Sequence, residues 1–121
     1  MSAFEELHAI APREVWEGIL ARSRHGDRLT MAVVELAPGA HAREHQHDHE
    51  QLGIVLEGQI TFAIGDERRD LSPGDTYVIP SNVPHEAIAG PEGCTVIDIF
   101  APVREEWKAI EPREPARPRW P

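Results

Sequence analysis

The 121-residue sequence predicts an all-β domain, an antiparallel sandwich or barrel. Three observations carry this. Short apolar and β-branched runs recur from Leu29 to Phe100. Turn residues (Pro38-Gly39, Glu57-Gly58, Gly65-Asp66, Ser72-Pro73-Gly74-Asp75) separate them, as in sandwiches and barrels. The connections are too short to hold crossover helices, which excludes a parallel βαβ sheet. The length fits one domain, since two would each bury too little core.

The elements follow in order. Residues 1–28 form an N-terminal segment that packs on the barrel. Within it Val15, Trp16, Ile19 and Leu20 suit either a short helix or an irregular strand. Residues 29–110 form the main domain, and Leu29–Leu36 is its first strand. Gln51–Leu56 and Gln59–Ile64 read as separate strands, the latter with Ile60, Phe62 and Ile64 on one face. Arg68–Leu71, Thr76–Ile79, His85–Ala89 and Thr95–Phe100 complete the set. In the last, Val96, Asp98 and Phe100 share one face and Ile97 and Ile99 the other. Val103–Ile110 forms a short C-terminal helix in which Trp107 packs on the barrel. The tail Glu111–Pro121 carries Pro112, Pro115, Pro118 and Pro121. Prolines at that density keep it extended.

Composition removes several function classes. The net charge of -9 repels phosphate backbones and argues against nucleic-acid binding. Lys108 is the single lysine beside eleven arginines, which disfavours Schiff-base chemistry. No window is apolar enough for a membrane span, and Met1–Leu20 has no secretory pattern, so a cytoplasmic protein is expected. Cys94 is the one cysteine; it cannot form an intrachain disulfide and reads as a small buried hydrophobe.

Four of the seven histidines lie between His41 and His49. On an extended chain, i and i+2 side chains share a face, so His45 and His47 project together about 7 Å apart. Imidazoles so placed can converge on one metal ion. Gln51, beyond a turn at Asp48–Glu50, can return an amide oxygen to the same point, and His85 can supply a fourth ligand from a distant strand. Histidine-rich surface loops are common, and an isolated His-x-His is a weak sign of a metal. His41 reads as a surface residue and His49 as a pocket-rim residue, with ligation the lesser alternative.

Spacing strengthens the metal reading. Gly39, five residues, His45-x-His47, three residues, Gln51, six residues, Gly58 resembles the first motif of the cupin superfamily, with Gln in the usual Glu place. Gly74, five residues, Pro80-x-Asn82, two residues, His85 resembles the second, with Asn82 for the usual Gly and Ala89 for the usual Asn. The resemblance implies a single-domain cupin jelly-roll β-barrel that pairs as a homodimer through edge strands. It also implies one divalent metal ion per chain (Zn, Ni, Mn or Fe) on His45, His47, Gln51 and His85. Three neutral imidazoles and an amide leave such an ion its full positive charge, a stronger Lewis acid than a carboxylate-bound one.

Asp98 lies between Ile97 and Ile99 and needs an explanation, because an unpaired buried carboxylate is costly. From pattern alone, a rim Asp paired with Arg104 and a catalytic acid stand equal. The run Asp98-Ile99-Phe100-Ala101-Pro102-Val103-Arg104-Glu105 closely resembles the pectin-degradation KdgF family. That resemblance implies a small sugar-acid substrate, a 4,5-unsaturated uronate from pectin or alginate breakdown, converted to its open-chain keto form. Asp98 would shuttle the proton, Arg104 hold the carboxylate or orient Asp98, and Phe100 pack on the sugar face. A metal-dependent dioxygenase, another small-molecule isomerase and a non-catalytic sugar-acid binder are the alternatives. Core packing is the simplest role for Tyr77 and a pocket hydroxyl the alternative, while Trp16 fits the core, the pocket or a dimer contact.

Overall fold

The computed structural model describes residues 2–121. A 3-10 turn at Leu7–Ala9 precedes eight strands and a short helix. These are β1 (Arg13–Trp16), β2 (Ile19–His25), β3 (Thr30–Leu36), β4 (His41–His45), β5 (Glu50–Ile64), β6 (Glu67–Leu71), β7 (Thr76–Ile79), β8 (His85–Ala101) and α1 (Glu105–Lys108). All pairings are antiparallel, in the order β1-β2-β3-β8-β5-β6, with β4 added to β8 and β7 added to β5.

Two long strands organise the molecule. The reading of Gln51–Leu56 and Gln59–Ile64 as separate strands gives way to one 15-residue strand, β5. Likewise His85–Ala89 and Thr95–Phe100 lie on one 17-residue strand, β8. The turn residues between the halves mark bends with register shifts near Glu57 and Gly58, and pairing continues beyond them. Gly58 has φ 76°, and a Cβ there would sit 2.2 Å from the Gly93 carbonyl oxygen, so only glycine permits the close approach. Each half then has its own neighbours. The first half of β5 pairs with β7 and the second with β6. The first half of β8 pairs with β4 and the second with β3. This exchange of partners at the bends makes the expected jelly-roll, two layers with their inner faces opposed.

The segment expected to pack on the barrel instead supplies two of its strands, so the sheet begins well before Leu29. Strand β2 pairs along its whole length with β3, from Ile19↔Leu36 to His25↔Thr30. Its inward residues Ile19 and Ala21 join the core. Its outward Arg22 is also buried, with Nη1 3.2 Å from Glu35 Oε1, and this burial of a charge hides the period-2 pattern. The expected helix over Val103–Ile110 contracts to Glu105–Lys108, with Trp107 buried against Phe100 at 5.0 Å between ring centroids. Edge-on aromatic pairs of this kind contribute about 1 kcal/mol beyond area burial.

The proline-rich tail is extended, as expected, and it is anchored. Arg113 N–H donates to the Pro12 carbonyl (2.8 Å), Arg22 Nη2 donates to the Ala116 carbonyl (3.0 Å), and Arg119 N–H donates to Glu35 Oε1 (2.7 Å). Cys94 is buried and its thiol is pushed up to about 12 by desolvation, in keeping with a packing role. Among the described residues, no helix is long and apolar enough to cross a membrane.

Candidate metal centre and pocket

The pairing of β4 with β8 sets His45 directly opposite His85. His47 follows β4 in the turn to β5. That turn is held against the second motif by Asn82 N–H, which donates to the His47 carbonyl at 2.8 Å. Asn82 stands where the motif usually has glycine and has φ 62°, a conformation that asparagine tolerates better than most residues. One ligand atom from each of His45, His47 and His85 lies within 4.8 Å of the others.

The hydrogen bonds choose the tautomer. Nδ1 of His45 faces the Arg43 carbonyl at 2.6 Å, that of His47 the His49 carbonyl at 2.9 Å, and that of His85 the Val83 carbonyl at 2.8 Å. A carbonyl can only accept, so each Nδ1 carries the proton and each Nε2 presents a lone pair. The Nε2 atoms of His47 and His85 are buried and have no hydrogen-bond partner. Buried acceptors without donors are costly, and lone pairs aimed at one region fit a cation. Desolvation lowers the pKa of His85 to about 4, and lowers that of His47 with help from the Arg104 charge. Both imidazoles are thus neutral at pH 7, the form a metal ligand requires.

Gln51 is buried on β5, between Phe100 on β8 and Ile79 on β7. Its side chain lines the same cavity as the three histidines and Asp98, and it favours the ionised form of the Asp98 carboxyl. Its amide oxygen is the atom that can serve as a ligand. The chemistry of this donor set, three imidazole nitrogens and an amide oxygen, fits a divalent transition ion.

Asp98 is buried on the inner face of β8, as its parity with Phe100 indicates. Desolvation raises its pKa to about 6, while hydrogen bonds from Tyr77 and Gln51 and the charge of Arg104 oppose the rise. Tyr77 Oη donates to Asp98 Oδ1 at 2.6 Å. The rim pairing of Asp98 with Arg104 is replaced by other partners. The Arg104 Nε–H donates to Glu106 Oε2 at 3.1 Å. Its guanidinium lies between two rings, 4.6 Å from the Phe100 centroid and 4.4 Å from that of Trp107. The Arg104 backbone N–H is fixed by Thr30 Oγ1 at 2.9 Å.

These groups line one cavity of about 430 Å³ that holds His45, His47, Gln51, His85, Asp98 and Arg104 together. Its walls are otherwise mainly apolar, as small-molecule sites usually are. Trp16 is one of them, with its ring 5.0 Å from that of His45. His41 lies on the surface with Nε2 2.8 Å from Glu86 Oε2. His49 sits beside the site, its Nε2 3.3 Å from the Val103 carbonyl oxygen and its own carbonyl orienting His47. Sequence reasoning offered Tyr77 as a pocket hydroxyl but did not pair it with Asp98, and it missed the pairing of Glu106 with Arg104.

Comparison with known proteins extends this picture. Residues 32–100 match the Cupin domain family model. The pectin degradation protein KdgF of Dickeya dadantii is 37% identical over 82 residues, 67% of this chain and 74% of that protein. The H2HPP isomerase of Bacillus subtilis is 35% identical over 86 residues, 69% of this chain but 36% of that protein. The solved structure of KdgF from Halomonas sp. superposes with a TM-score of 0.80 at 33% identity, covering 88% of this chain and 98% of that one.

Proposed function

The chain belongs to the cupin domain family, and from that premise we propose that it is a metal-dependent enzyme opening 4,5-unsaturated uronates to their keto forms. The observation that carries this reading is the juxtaposition of three Nε2 lone pairs with the buried carboxyl of Asp98 in one sugar-sized cavity. Similarity to the pectin degradation protein KdgF supplies the substrate class, and similarity to an isomerase fits a reaction without net oxidation.

His45, His47, His85 and the Oε1 of Gln51 would hold a divalent ion. When bound, it supplies electrophilic stabilisation of negative charge developing on a substrate oxygen. Asp98 accepts the proton of the anomeric hydroxyl. The C1–O bond of the ring then breaks, C1 becomes a carbonyl, and the ring oxygen leaves on C5 as an enolate. Asp98 returns a proton to C4, which yields the C5 ketone and restores the carboxylate. A group with a pKa near 6 is well matched to both steps at neutral pH. Arg104, held by its two flanking rings and Glu106, binds the substrate carboxylate, and Phe100 packs on the sugar and excludes water.

We also propose a homodimer, for which the outer sheet face offers an apolar surface beside the edge strands. Met31, Ile99, Leu52 and Val78 are direct cross-strand neighbours over four strands and are 41–53% exposed. Contiguous apolar rows of this kind mark interaction surfaces, and sedimentation of Leu52→Glu against the parent tests the assignment.

The test of function is product analysis. The metal-loaded protein is mixed with 4,5-unsaturated galacturonate and followed by proton NMR. The expected result is accelerated appearance of the open-chain keto form; formation at the spontaneous rate refutes the reading.

A further inference from the structure

The geometry points to Tyr77 as a positioning residue that fixes the orientation of Asp98 in the pocket. This rests on the reading of Asp98 as the proton shuttle, and its observations lie in the backbone register. Tyr77 on β7, Gly53 on β5 and Asp98 on β8 form one cross-strand row, Tyr77↔Gly53↔Asp98. Side chains in such a row normally meet only their immediate neighbours. Here the middle position has no side chain. A Cβ at Gly53 would lie 2.1 Å from Tyr77 Cζ and 2.3 Å from its Oη, so the ring occupies the space above the glycine. That path carries the hydroxyl across a whole strand to Asp98 Oδ1 at 2.6 Å. The φ of Gly53 is not in the left-handed region. Its requirement is therefore the ring above it and not backbone freedom.

The ring itself is held. Tyr77 is buried, and it packs on Phe62 with centroids 4.3 Å apart. A phenol so confined fixes one carboxylate oxygen through its 2.6 Å hydrogen bond. The carboxylate plane cannot turn without breaking a buried hydrogen bond, a loss that costs more than the bond contributes in water. Tyr77 itself does not line the metal-centre cavity. It acts on the reaction through Asp98, as supporting shells of functional groups do.

Tyr77→Phe keeps the ring and removes the donor. In the metal-loaded enzyme acting on 4,5-unsaturated galacturonate, kcat is expected to fall roughly 10- to 100-fold, the scale of a misplaced reacting group. KM and metal content stay at the parent values. In an Asp98→Asn background the same change removes nothing further. An undiminished kcat overturns the proposal, as does an equal loss in both backgrounds. A second measurement is independent of turnover. Tyr77 is the one tyrosine of the chain, so tyrosine labelled with ¹³C at Cζ gives a single resonance. That resonance is expected to move with Asp98→Ala and to stay with Glu86→Ala, which alters a surface acid. A resonance insensitive to Asp98→Ala overturns the link. If the parent protein turns over no uronate, the proposed reaction falls, while a resonance that follows Asp98 still upholds the positioning contact.

Discussion

Replacing Asp98 by Asn should make the metal-free protein more stable and the metal-loaded enzyme slower. Burial raises the carboxyl from an ordinary value near 3.8 to about 6, after the opposing hydrogen bonds and the Arg104 charge are included. A shift of about two units corresponds to about 3 kcal/mol, at 1.36 kcal/mol per unit. Because the folded pKa lies above the unfolded one, folding takes up a proton between about 3.8 and 6. The stabilisation from that proton is complete below the unfolded value and is lost as pH rises through the folded value. Asn has the shape of the neutral acid and carries no charge to desolvate, and its Oδ1 can still accept from Tyr77. The variant should therefore match the parent near pH 4 and exceed it by up to about 3 kcal/mol at pH 7. Urea unfolding of chelator-treated protein across this range measures the gap. His47 and His85 titrate in both proteins, so their contributions cancel in the difference. On the loaded enzyme, turnover should fall by roughly 10²–10⁴, the usual worth of a general acid–base group. A variant less stable than the parent at pH 7, or a gap that does not change with pH, would refute the account of a desolvated carboxylate.

Other outcomes are equally specific. Gln51→Glu should retain metal and lose turnover, because the new carboxylate cancels one unit of cationic charge; metal analysis with kinetics on one preparation checks this, and equal activity would remove site charge from the mechanism. Metal release should extend below the ordinary imidazole range, because His47 is lowered and His85 sits at about 4. Dialysis at stepped pH should show release between the usual value of about 6.5 and about 4, as protons compete for Nε2. Truncation after Ile110 should leave kcat intact and lower the melting temperature, since it removes the partners of Arg22 and Glu35. Each lost bond costs about 1 kcal/mol, so a stability loss of roughly 1–3 kcal/mol is expected.

The jelly-roll fold class and the clustering of three histidines were both legible in the sequence. The grouping of His45, His47 and His85 was legible because motif geometry is local on each strand, and the pairing of His45 with His85 brings them together. The inward face of Asp98 and Phe100 followed from strand parity, which the apolar Ile97 and Ile99 make unambiguous. Strands β1 and β2 were obscured because a buried ion pair of Arg22 with Glu35, covered by the tail, replaces the polar-outward alternation. The bends in β5 and β8 looked like chain reversals because Gly58 and Gly93 serve either use; only the pairing partner separates a bulge from a turn. The Tyr77–Asp98 bond was invisible for a different reason. It joins three strands through an absent side chain, and Gly53 acquires meaning only once the register is known.

The central claim is that activity belongs to a metal centre of one ion per chain. It is tested most directly by titrating chelator-stripped protein with a divalent ion and following loss of the unsaturated uronate's ultraviolet absorbance at each addition. The account predicts a rate that rises linearly and saturates at one equivalent in the parent, with no rise in His47→Ala. A rate already maximal in the stripped protein, or a rise of equal size in His47→Ala, would contradict it.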